Sequence, residues 1–128
     1  MPKRILLVDD EPNILLLLGT RLRSEGFEVI TAKDGQVGLE AAKKERPDLI
    51  ILDLMLPKMD GYKVCGLLKK DSRYAKIPIL MFTARGQEED RKLGMEVGAD
   101  AYITKPFVPQ TLLNKIQELV NPVGNANA

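Results

Sequence analysis

Short apolar runs, several rich in β-branched residues, alternate along the chain with longer segments in which apolar residues recur at helical spacing. The runs predict β-strands, and the segments between them predict helices. Strands that alternate with helices are typical of βα units, which build a parallel sheet through right-handed crossovers. The five predicted strands span residues 4–8, 27–32, 48–54, 77–84 and 101–105.

The helical segments carry recognisable start and stop signals. The first begins near Pro12, because a proline at a helix start lacks only an N–H that the first turn leaves unbonded. The second covers about 35–45, the third starts at the cap Asp60, and the fourth covers about 87–97. The first and third strands are apolar on both faces, so helices should cover both sides of the sheet. The fifth helix carries Leu112, Leu113, Ile116, Leu119 and Val120.

Length and composition fit one globular domain. The chain has 128 residues, of which 45% are hydrophobic and 29% charged, and it contains no internal repeat or low-complexity tract. We predict an α/β domain over residues 1–120. The segment 121–128, "NPVGNANA", is predicted to be a flexible tail or the start of a linker.

Charge and hydropathy exclude several classes of partner. The formal net charge is +1, so no whole-molecule field draws the protein to nucleic acid or to an anionic membrane, and any basic patch has to be local. The apolar runs are too short to cross a bilayer, and the N-terminus turns acidic before a secretory signal could form. We expect a cytoplasmic protein without direct nucleic-acid or membrane contact.

Cysteine and histidine usage removes much of the usual enzyme chemistry. Cys65 is the single cysteine, which excludes an internal disulfide, and its helical neighbours make it a packed residue. Histidine is absent, so Ser-His-Asp, Cys-His and histidine-ligated zinc sites are excluded. Carboxylates, hydroxyls and lysines remain as reactive groups.

Polar residues that could bind a ligand or take part in a reaction lie at the carboxyl ends of four of the predicted strands. Asp9 and Asp10 end the first strand, Asp53 the third, Thr83 the fourth and Lys105 the fifth. In an open parallel sheet, ligands bind outside the carboxyl ends of the strands, near the point where the strand order reverses. Each residue alone would be an ordinary helix cap or turn residue, but together they predict one site.

Three acids at one strand edge need compensating positive charge. Two carboxylates about 6 Å apart repel by roughly 3 kcal/mol at an effective dielectric near 20. Lys105 supplies one positive charge. The remaining negative charge favours a hard divalent cation, and Mg²⁺ is the natural candidate because it accepts a few carboxylates while retaining waters and phosphate oxygens.

The segments "LLVDDE", "DLMLPKMDGY", "MFTA" and "YITKPF", in this order and spacing, resemble the response-regulator receiver domain of two-component signalling over about residues 3–119. The resemblance implies a doubly wound, flavodoxin-like sheet with strand order 2-1-3-4-5. It also implies Mg²⁺-dependent transfer of a phosphoryl group to Asp53 from a phosphohistidine on a histidine kinase or phosphotransfer protein. Such a protein is a phosphoacceptor that assists its own phosphotransfer and dephosphorylation, not an enzyme.

The same resemblance assigns roles to the other residues of the site. Asp10 binds the metal directly, Asp9 does so directly or through water, and Met55 contributes its backbone carbonyl. Lys105 pairs with Asp53 and then with a phosphoryl oxygen, and the Thr83 hydroxyl donates to another phosphoryl oxygen. The Lys105–Pro106 bond is a possible cis site, and its isomer is left open.

Switching and phosphate lifetime also follow from the resemblance. By pattern Tyr102 is a half-exposed strand residue; the resemblance makes it a ring that turns inward when Thr83 engages the phosphoryl group. Met55 and Arg85 border the path of the hydrolytic water in such domains. Neither side chain accepts a hydrogen bond as an amide or carboxylate would, which predicts slow dephosphorylation.

Several alternatives remain open. A flavodoxin-like sheet could hold a flavin, but the turn "DDEPN" offers acids where a phosphate cradle needs Gly, Ser or Thr. A non-phosphorylated adaptor would be expected to lack some of the site residues. A phosphorylation-dependent homodimer is expected through the predicted fourth helix, fifth strand and fifth helix. Lys92, Glu96 and Asp100 resemble the charged residues that the winged-helix subgroup carries on this face. "GMEVGADAYITKPF" resembles the receiver subgroup linked to winged-helix DNA-binding outputs, which leaves open whether the native chain continues past Ala128.

Overall fold

A computed structural model describes residues 2–84 and 97–121, with the backbone alone at positions 83 and 84. It contains the strands β1 (Arg4–Val8), β2 (Glu28–Ala32), β3 (Leu49–Asp53), β4 (Ile79–Ala84) and β5 (Ala101–Lys105). The helices in this part of the chain are α1 (Pro12–Ser24), α2 (Gly35–Glu45), α3 (Gly61–Lys70) and α4 (Pro109–Val120). None of them has the length and apolar character that a membrane-spanning helix needs.

All five strands are parallel and lie in the order β2-β1-β3-β4-β5. This confirms the doubly wound arrangement. β1 has four fully buried residues and β3 is buried throughout, as their continuous apolar sequences predict. β3 begins at Leu49 and β4 at Ile79, one and two residues later than predicted, and each of these strands follows a proline-containing turn.

Two hydrophobic cores cover the two faces of the sheet. One core joins the sheet to α2 and α3 and includes Leu39, Val64 and Leu68. The other joins the sheet to α1 and α4 and includes Leu22 and Ile116. Apolar residues at helical spacing on both sides of a parallel sheet therefore produce the three-layer fold that the pattern indicates.

Local signals fix the helix ends. The Asp34 side chain accepts a hydrogen bond from Val37 N at 2.8 Å and caps α2, and Asp60 does the same for Lys63 N at 2.9 Å at the start of α3. Pro12 lies in the first turn of α1, as predicted. These caps place the N-termini of α2 and α3 at the edge of the sheet where the candidate site lies.

The prediction of five helices is only partly tested. The predicted fourth helix, about 87–97, lies outside the described residues apart from Val97, which is helical. Cys65 is fully buried, and burial raises the pKa of its thiol to about 11, as expected for a packed residue. The segment 122–128, predicted as a tail or linker, also lies outside the described residues.

Candidate functional site

The predicted site residues meet at the carboxyl edge of the sheet. Asp9 and Asp10 follow β1, while Asp53 ends β3 beside it, at the point where the chain changes direction across the sheet. Lys105 is the last residue of β5 and lies opposite Ala84 in the β4–β5 ladder. The sheet order therefore brings together groups that are as much as 96 positions apart in the sequence.

Lys105 connects the two buried carboxylates of the site. Its Nζ lies 3.0 Å from Asp9 Oδ2 and 3.1 Å from Asp53 Oδ2, and it is 3.7 Å from Glu11 Oε1. The sequence predicts the contact with Asp53 but not the equal contact with Asp9. Two charge-assisted hydrogen bonds from one ammonium group hold both carboxylates in fixed positions.

Lys105 also contacts one of a pair of stacked aromatic rings. Lys105 Nζ lies 5.4 Å from the centroid of the Phe82 ring, within the range of a cation–π contact. Phe82 is fully buried and stacks on Phe107, with ring centroids 5.2 Å apart and planes 6° from parallel. The Lys105–Pro106 peptide bond is cis, which answers the question that the sequence leaves open.

Asp9 and Asp10 have different environments although they are neighbours. Asp9 is completely buried, and its Oδ1 accepts a hydrogen bond from Glu11 N at 2.9 Å, while Asp10 is exposed. Oxygen atoms of Asp9, Asp10 and Asp53 lie within 4.8 Å of one another. Three carboxylate oxygens at this separation fit a hard divalent cation, which is the donor set that Mg²⁺ or Ca²⁺ prefers.

The electrostatics of Asp53 reflect its position in this cluster. Burial raises the pKa of Asp53 above its usual value, and the negative charge of Asp9 adds to the effect, while Lys105 and the Met55 backbone N–H oppose it. Burial alone would lower the pKa of Lys105, but its hydrogen bond to Asp9 and the charge of Asp53 raise it. Lys105 is therefore firmly cationic, and the cluster still has an excess of negative charge.

The loop after Asp53 shapes the site in ways that sequence reasoning missed. The Met55 backbone N–H donates to the Asp53 carboxylate, whereas the Met55 side chain is 79% exposed at the rim. Gly61 packs so closely on the carbonyl of Asp53 that an added Cβ would collide with it. Gly61 N also donates to Leu54 O at 2.9 Å. The pattern "MDG" was the available signal, but sequence reasoning read it only as a helix start.

Other predicted residues are placed only in part. Thr83 lies in β4 opposite Thr104, and the structure describes its backbone but not its side chain. Tyr102 is partly buried and packs against the core formed with α2 and α3. Arg85 lies outside the described residues. The carbonyl of Met55 as a metal ligand, the switch role of Tyr102 and the role of Arg85 stay predictions.

Asp100 makes contacts within the domain that the sequence pattern does not predict, and its expected place among interface charges stays a prediction. Its Oδ2 accepts hydrogen bonds from Lys69 Nζ and from Ile79 N, both at 2.8 Å. Lys69 Nζ also donates to the carbonyls of Ala75 and Ile77. Asp100 therefore ties the start of β5 to the start of β4 and the end of α3. Lys92 and Glu96, the other two charges expected at the dimer interface, lie outside the described residues.

Comparison with known proteins agrees with this geometry. The chain matches the family "Response regulator receiver domain" over residues 5–117. It is 48% identical over 120 residues to the alkaline phosphatase synthesis transcriptional regulatory protein PhoP of Bacillus subtilis, covering 94% of this chain and 49% of that protein. The chain spans about half the length of the curated relatives it matches.

Two solved structures show the same fold. A response regulator from Chloroflexus aurantiacus superimposes with a TM-score of 0.90 at 36% identity, covering 94% of this chain and 98% of that one. The receiver domain of the sensor histidine kinase PA1611 from Pseudomonas aeruginosa, solved with a magnesium ion in its active-site cleft, gives a TM-score of 0.86 at 30% identity, with the same coverages. From its fold, its acidic strand edge and these matches, we conclude that the chain belongs to the response regulator receiver domain family of two-component signalling.

Proposed function

We propose that this domain accepts a phosphoryl group on Asp53 from a phosphohistidine of a histidine kinase or phosphotransfer protein, with Mg²⁺ as cofactor. The observation that carries the proposal is the position of the Asp53 carboxylate, which is 7% exposed, 3.1 Å from Lys105 Nζ and grouped with Asp9 and Asp10. A carboxylate that is fixed, partly desolvated and still reachable is suited to act as a nucleophile.

Asp9, Asp10 and Asp53 would hold the Mg²⁺ ion, with the Met55 backbone carbonyl as a further proposed ligand. When bound, the ion offsets the negative charge that the carboxylates and the phosphoryl oxygens bring together. Asp9 is the most constrained of the three acids, because Lys105 and the Glu11 N–H each bind one of its oxygens. Asp10 is the most accessible.

The transfer itself exchanges one bond for another. An Asp53 oxygen forms the new O–P bond in line while the N–P bond to the donor imidazole breaks, and the imidazole nitrogen takes up a proton. Lys105 then donates to a phosphoryl oxygen, so the two hydrogen bonds that it now gives to carboxylates are redistributed. The Thr83 hydroxyl donates to another phosphoryl oxygen. The domain is consumed and regenerated by hydrolysis, and so it is not an enzyme acting on a separate substrate.

The donor needs a docking surface next to Asp53, and a groove between α1 and the start of α4 provides one. The groove has a volume of about 330 Å³, and its two walls follow Glu11 and Lys105 closely in the sequence. We propose that a helix of the donor protein packs here. The groove is lined by Ile14, Leu17, Leu18, Arg21, Phe107 and Pro109.

The output of phosphorylation is proposed to be transcriptional. PhoP of Bacillus subtilis, a relative of about twice this length, is a transcriptional regulatory protein. We propose that this domain controls a DNA-binding output of winged-helix type through a phosphorylation-dependent homodimer. Neither the flavin carrier nor the non-phosphorylated adaptor gains support: the turn after β1 carries Asp9, Asp10 and Glu11 instead of a phosphate cradle, and the acidic cluster and lysine are in place.

Intact mass spectrometry after incubation with acetyl phosphate tests the proposal. We expect the mass of one phosphoryl group to be added in the presence of Mg²⁺, a much smaller yield when the metal is chelated, and no addition in Asp53→Asn. Asp71→Asn is the matched control, because Asp71 is an aspartate far from this edge of the sheet, and it should be phosphorylated like the parent. A full mass shift in Asp53→Asn would contradict the assignment.

A further inference from the structure

The end of the domain opposite Asp53 carries a concentration of positive charge. α2 and α3 both run back toward the N-terminal ends of the strands, and each has lysines in its last turn. Further basic residues follow the helix ends in the turns that lead to β3 and β4. We call this surface the basic pole; all its members are exposed, and they are Lys43, Lys44, Arg46, Lys70, Arg73 and Lys76.

Contacts around one aromatic ring and one carboxylate show that three of these residues lie close together. The guanidinium carbons of Arg46 and Arg73 lie 5.5 Å and 5.1 Å from the centroid of the Tyr74 ring. Arg73 also binds Asp71 through hydrogen bonds of 3.1 Å and 2.8 Å, and the charge of Lys43 acts on the same carboxylate. The end of α2 and the loop after α3 therefore present their cations together.

Little acidic charge balances this surface. Arg73 holds the pKa of Asp71 down to about 2, so that carboxylate is ionised and neutralises one cation. Of the other acids nearby, Glu45 pairs with the Arg4 side chain, whereas Asp48 accepts only the Arg4 backbone N–H at 2.8 Å and keeps its negative charge. In the described part of the chain, no carboxylate forms an ion pair with Lys43, Lys44, Arg46, Lys70 or Lys76.

Helix electrostatics explain only part of this arrangement. Lysines in the last turn of a helix are stabilised by the helix dipole, which accounts for Lys43, Lys44 and Lys70. Arg46, Arg73 and Lys76 lie beyond the helix ends. Arg46 also adopts a left-handed backbone with φ of 46°, which is uncommon for a residue with a side chain, and in this conformation its guanidinium lies over Tyr74.

We propose that the basic pole binds the phosphate backbone of double-stranded DNA. The proposal rests on the proposed transcriptional output, because it needs DNA to be near the domain. Guanidinium and ammonium groups that lack acidic partners are suited to phosphate oxygens, and arginine binds them through two parallel hydrogen bonds. An acidic protein is the competing partner, but a carboxylate surface would offer less charge per unit length than a duplex does.

The course of α4 supports this choice. The helix starts at Pro109 near the Asp53 edge and ends at Val120, which packs in the same core as Leu49 at the start of β3. A DNA-binding segment joined through this end would therefore begin on the side of the basic pole. Phosphate contacts by the basic pole would add affinity without reading sequence.

The distribution of charge revises the expectation of no nucleic-acid contact. That expectation rests on the net charge of +1, which is a sum over the whole chain. The structure separates the charges: Asp10, Asp53 and the helix caps Asp34 and Asp60 lie at the site edge, and the basic pole lies at the other end. A nearly neutral protein can therefore present a locally positive surface.

Fluorescence anisotropy with a short labelled duplex of arbitrary sequence tests the proposal on this chain, without phosphodonor. We expect weak binding at low salt, with log affinity falling against log salt at a slope of roughly −3, as three or four phosphate contacts would give. Lys43→Glu with Arg46→Glu should weaken binding at least about tenfold, or roughly 1.4 kcal/mol. The matched control is Lys33→Glu with Lys63→Glu, which makes the same charge change on exposed residues at the other end and should retain at least half of the parent's affinity.

The proposal is overturned by an absence of salt-dependent binding by the parent at low salt, or by equal losses in the two double variants. Binding of poly-glutamate with no binding of DNA would also overturn it, in favour of an acidic protein partner. Circular dichroism melts show whether each variant folds. If Lys43→Glu with Arg46→Glu does not fold, the single variant Arg46→Gln is measured in its place. Phosphorylation is measured separately, so failure of DNA binding with intact phosphorylation rejects only this inference.

Discussion

Asp53 is held in the folded protein at a higher pKa than in the unfolded chain, because burial outweighs its contact with Lys105. A raised carboxyl pKa lowers stability as pH rises through the folded-state value, and the loss disappears below the unfolded-state value. We therefore expect Asp53→Asn to raise the free energy of unfolding at neutral pH, without Mg²⁺, by about 0.5–2 kcal/mol. The gain should vanish below about pH 3.9.

Urea unfolding at neutral and acid pH measures this difference. Asp71→Asn is an informative control, because Arg73 lowers the pKa of Asp71 to about 2 and the sign is reversed. That variant should be less stable than the parent at neutral pH, with the difference lost as the pH falls toward 2. An Asp53→Asn protein that is less stable than the parent at neutral pH would contradict the account.

We predict that Met55 affects the lifetime of the phosphoryl group, because its side chain lacks a group that could orient the attacking water. Its side chain is 79% exposed at the rim of the site and lacks an oxygen that could orient a water molecule. Arg85, the second predicted residue, offers only donors. We expect Met55→Asn with Arg85→Glu to accelerate dephosphorylation about tenfold or more, which corresponds to roughly 1.4 kcal/mol of barrier.

The decay of phosphorylated protein at saturating Mg²⁺, followed by intact mass, measures this rate. Met55→Leu keeps the bulk of the side chain without adding a hydrogen-bonding group, and it should decay like the parent. If the double variant also decays at the parent's rate, these two positions do not control hydrolysis.

At the scale of elements, the start of α3 is fitted to the end of β3 through Gly61. A Cβ at this position would collide with the carbonyl of Asp53. Gly61→Ala should therefore destabilise the fold by about 1–3 kcal/mol, as overpacking in a closely packed region does. It should also slow phosphorylation of Asp53, because the backbone of this proposed phosphoacceptor has to move.

Gly66 in the same helix provides the control. Among the residues that the structure describes, a Cβ there would come within 4 Å of Val97 alone, at 3.8 Å or more. Gly66→Ala should keep normal phosphorylation and gain roughly 0.5–1 kcal/mol of stability from better helix propensity. Thermal unfolding and the acetyl phosphate assay read out both effects, and equal behaviour of the two alanine variants would show that the close contact at Gly61 is unimportant.

α1 supplies a second prediction at this scale. Leu16 and Leu17 are exposed to similar extents, 65% and 69%, but only Leu17 lines the groove with Phe107 and Pro109. Leu17→Ser should therefore reduce phosphotransfer from a histidine kinase at least about tenfold through lost apolar contact, while Leu16→Ser should not. Both variants should react normally with acetyl phosphate. A Leu17→Ser protein that accepts phosphate from the kinase at the parent's rate would remove the docking assignment.

The elements show where sequence reasoning succeeds and where it stops. β1 and β3 could be predicted because an uninterrupted apolar run has one stable place in a parallel sheet, and Pro12 and Asp60 mark helix starts through their own backbone chemistry. The contact of Lys105 with Asp9 and the collision that excludes a side chain at Gly61 depend on distances across the fold, which no local pattern contains. The contacts of Asp100 with Lys69 and Ile79 could not be predicted for the same reason, because these partners are distant in sequence.

The described part of the molecule is polarised, with its acidic cluster at one end of the sheet and its basic pole at the other. This organisation follows from the parallel sheet, since all five strands end at one edge, and α1, α2 and α3 return toward the other. Phosphorylation would add negative charge at the acidic end, where Lys105 and the proposed Mg²⁺ ion would offset it. Phosphorylation would therefore act at the acidic end, while the basic pole stays available to negatively charged partners.

Assembly is the expected response of the whole molecule. We predict that beryllofluoride with Mg²⁺, which mimics the phosphoryl group, shifts the protein from monomer toward dimer as β5 and α4 rearrange around Thr83 and Tyr102. Sedimentation velocity measures this shift, with Asp53→Asn as the control that should stay monomeric. A monomer under both conditions would remove the dimer from the account.

The proposal that Asp53 is the phosphoacceptor is tested most directly by locating the phosphoryl group. After phosphorylation with a small phosphodonor and Mg²⁺, borohydride reduction converts an aspartyl phosphate into homoserine, which peptide mass spectrometry identifies. The account predicts homoserine at position 53 and unmodified Asp9 and Asp10. Homoserine at either of those positions, or a phosphoryl group on Thr83 that resists reduction, would contradict it.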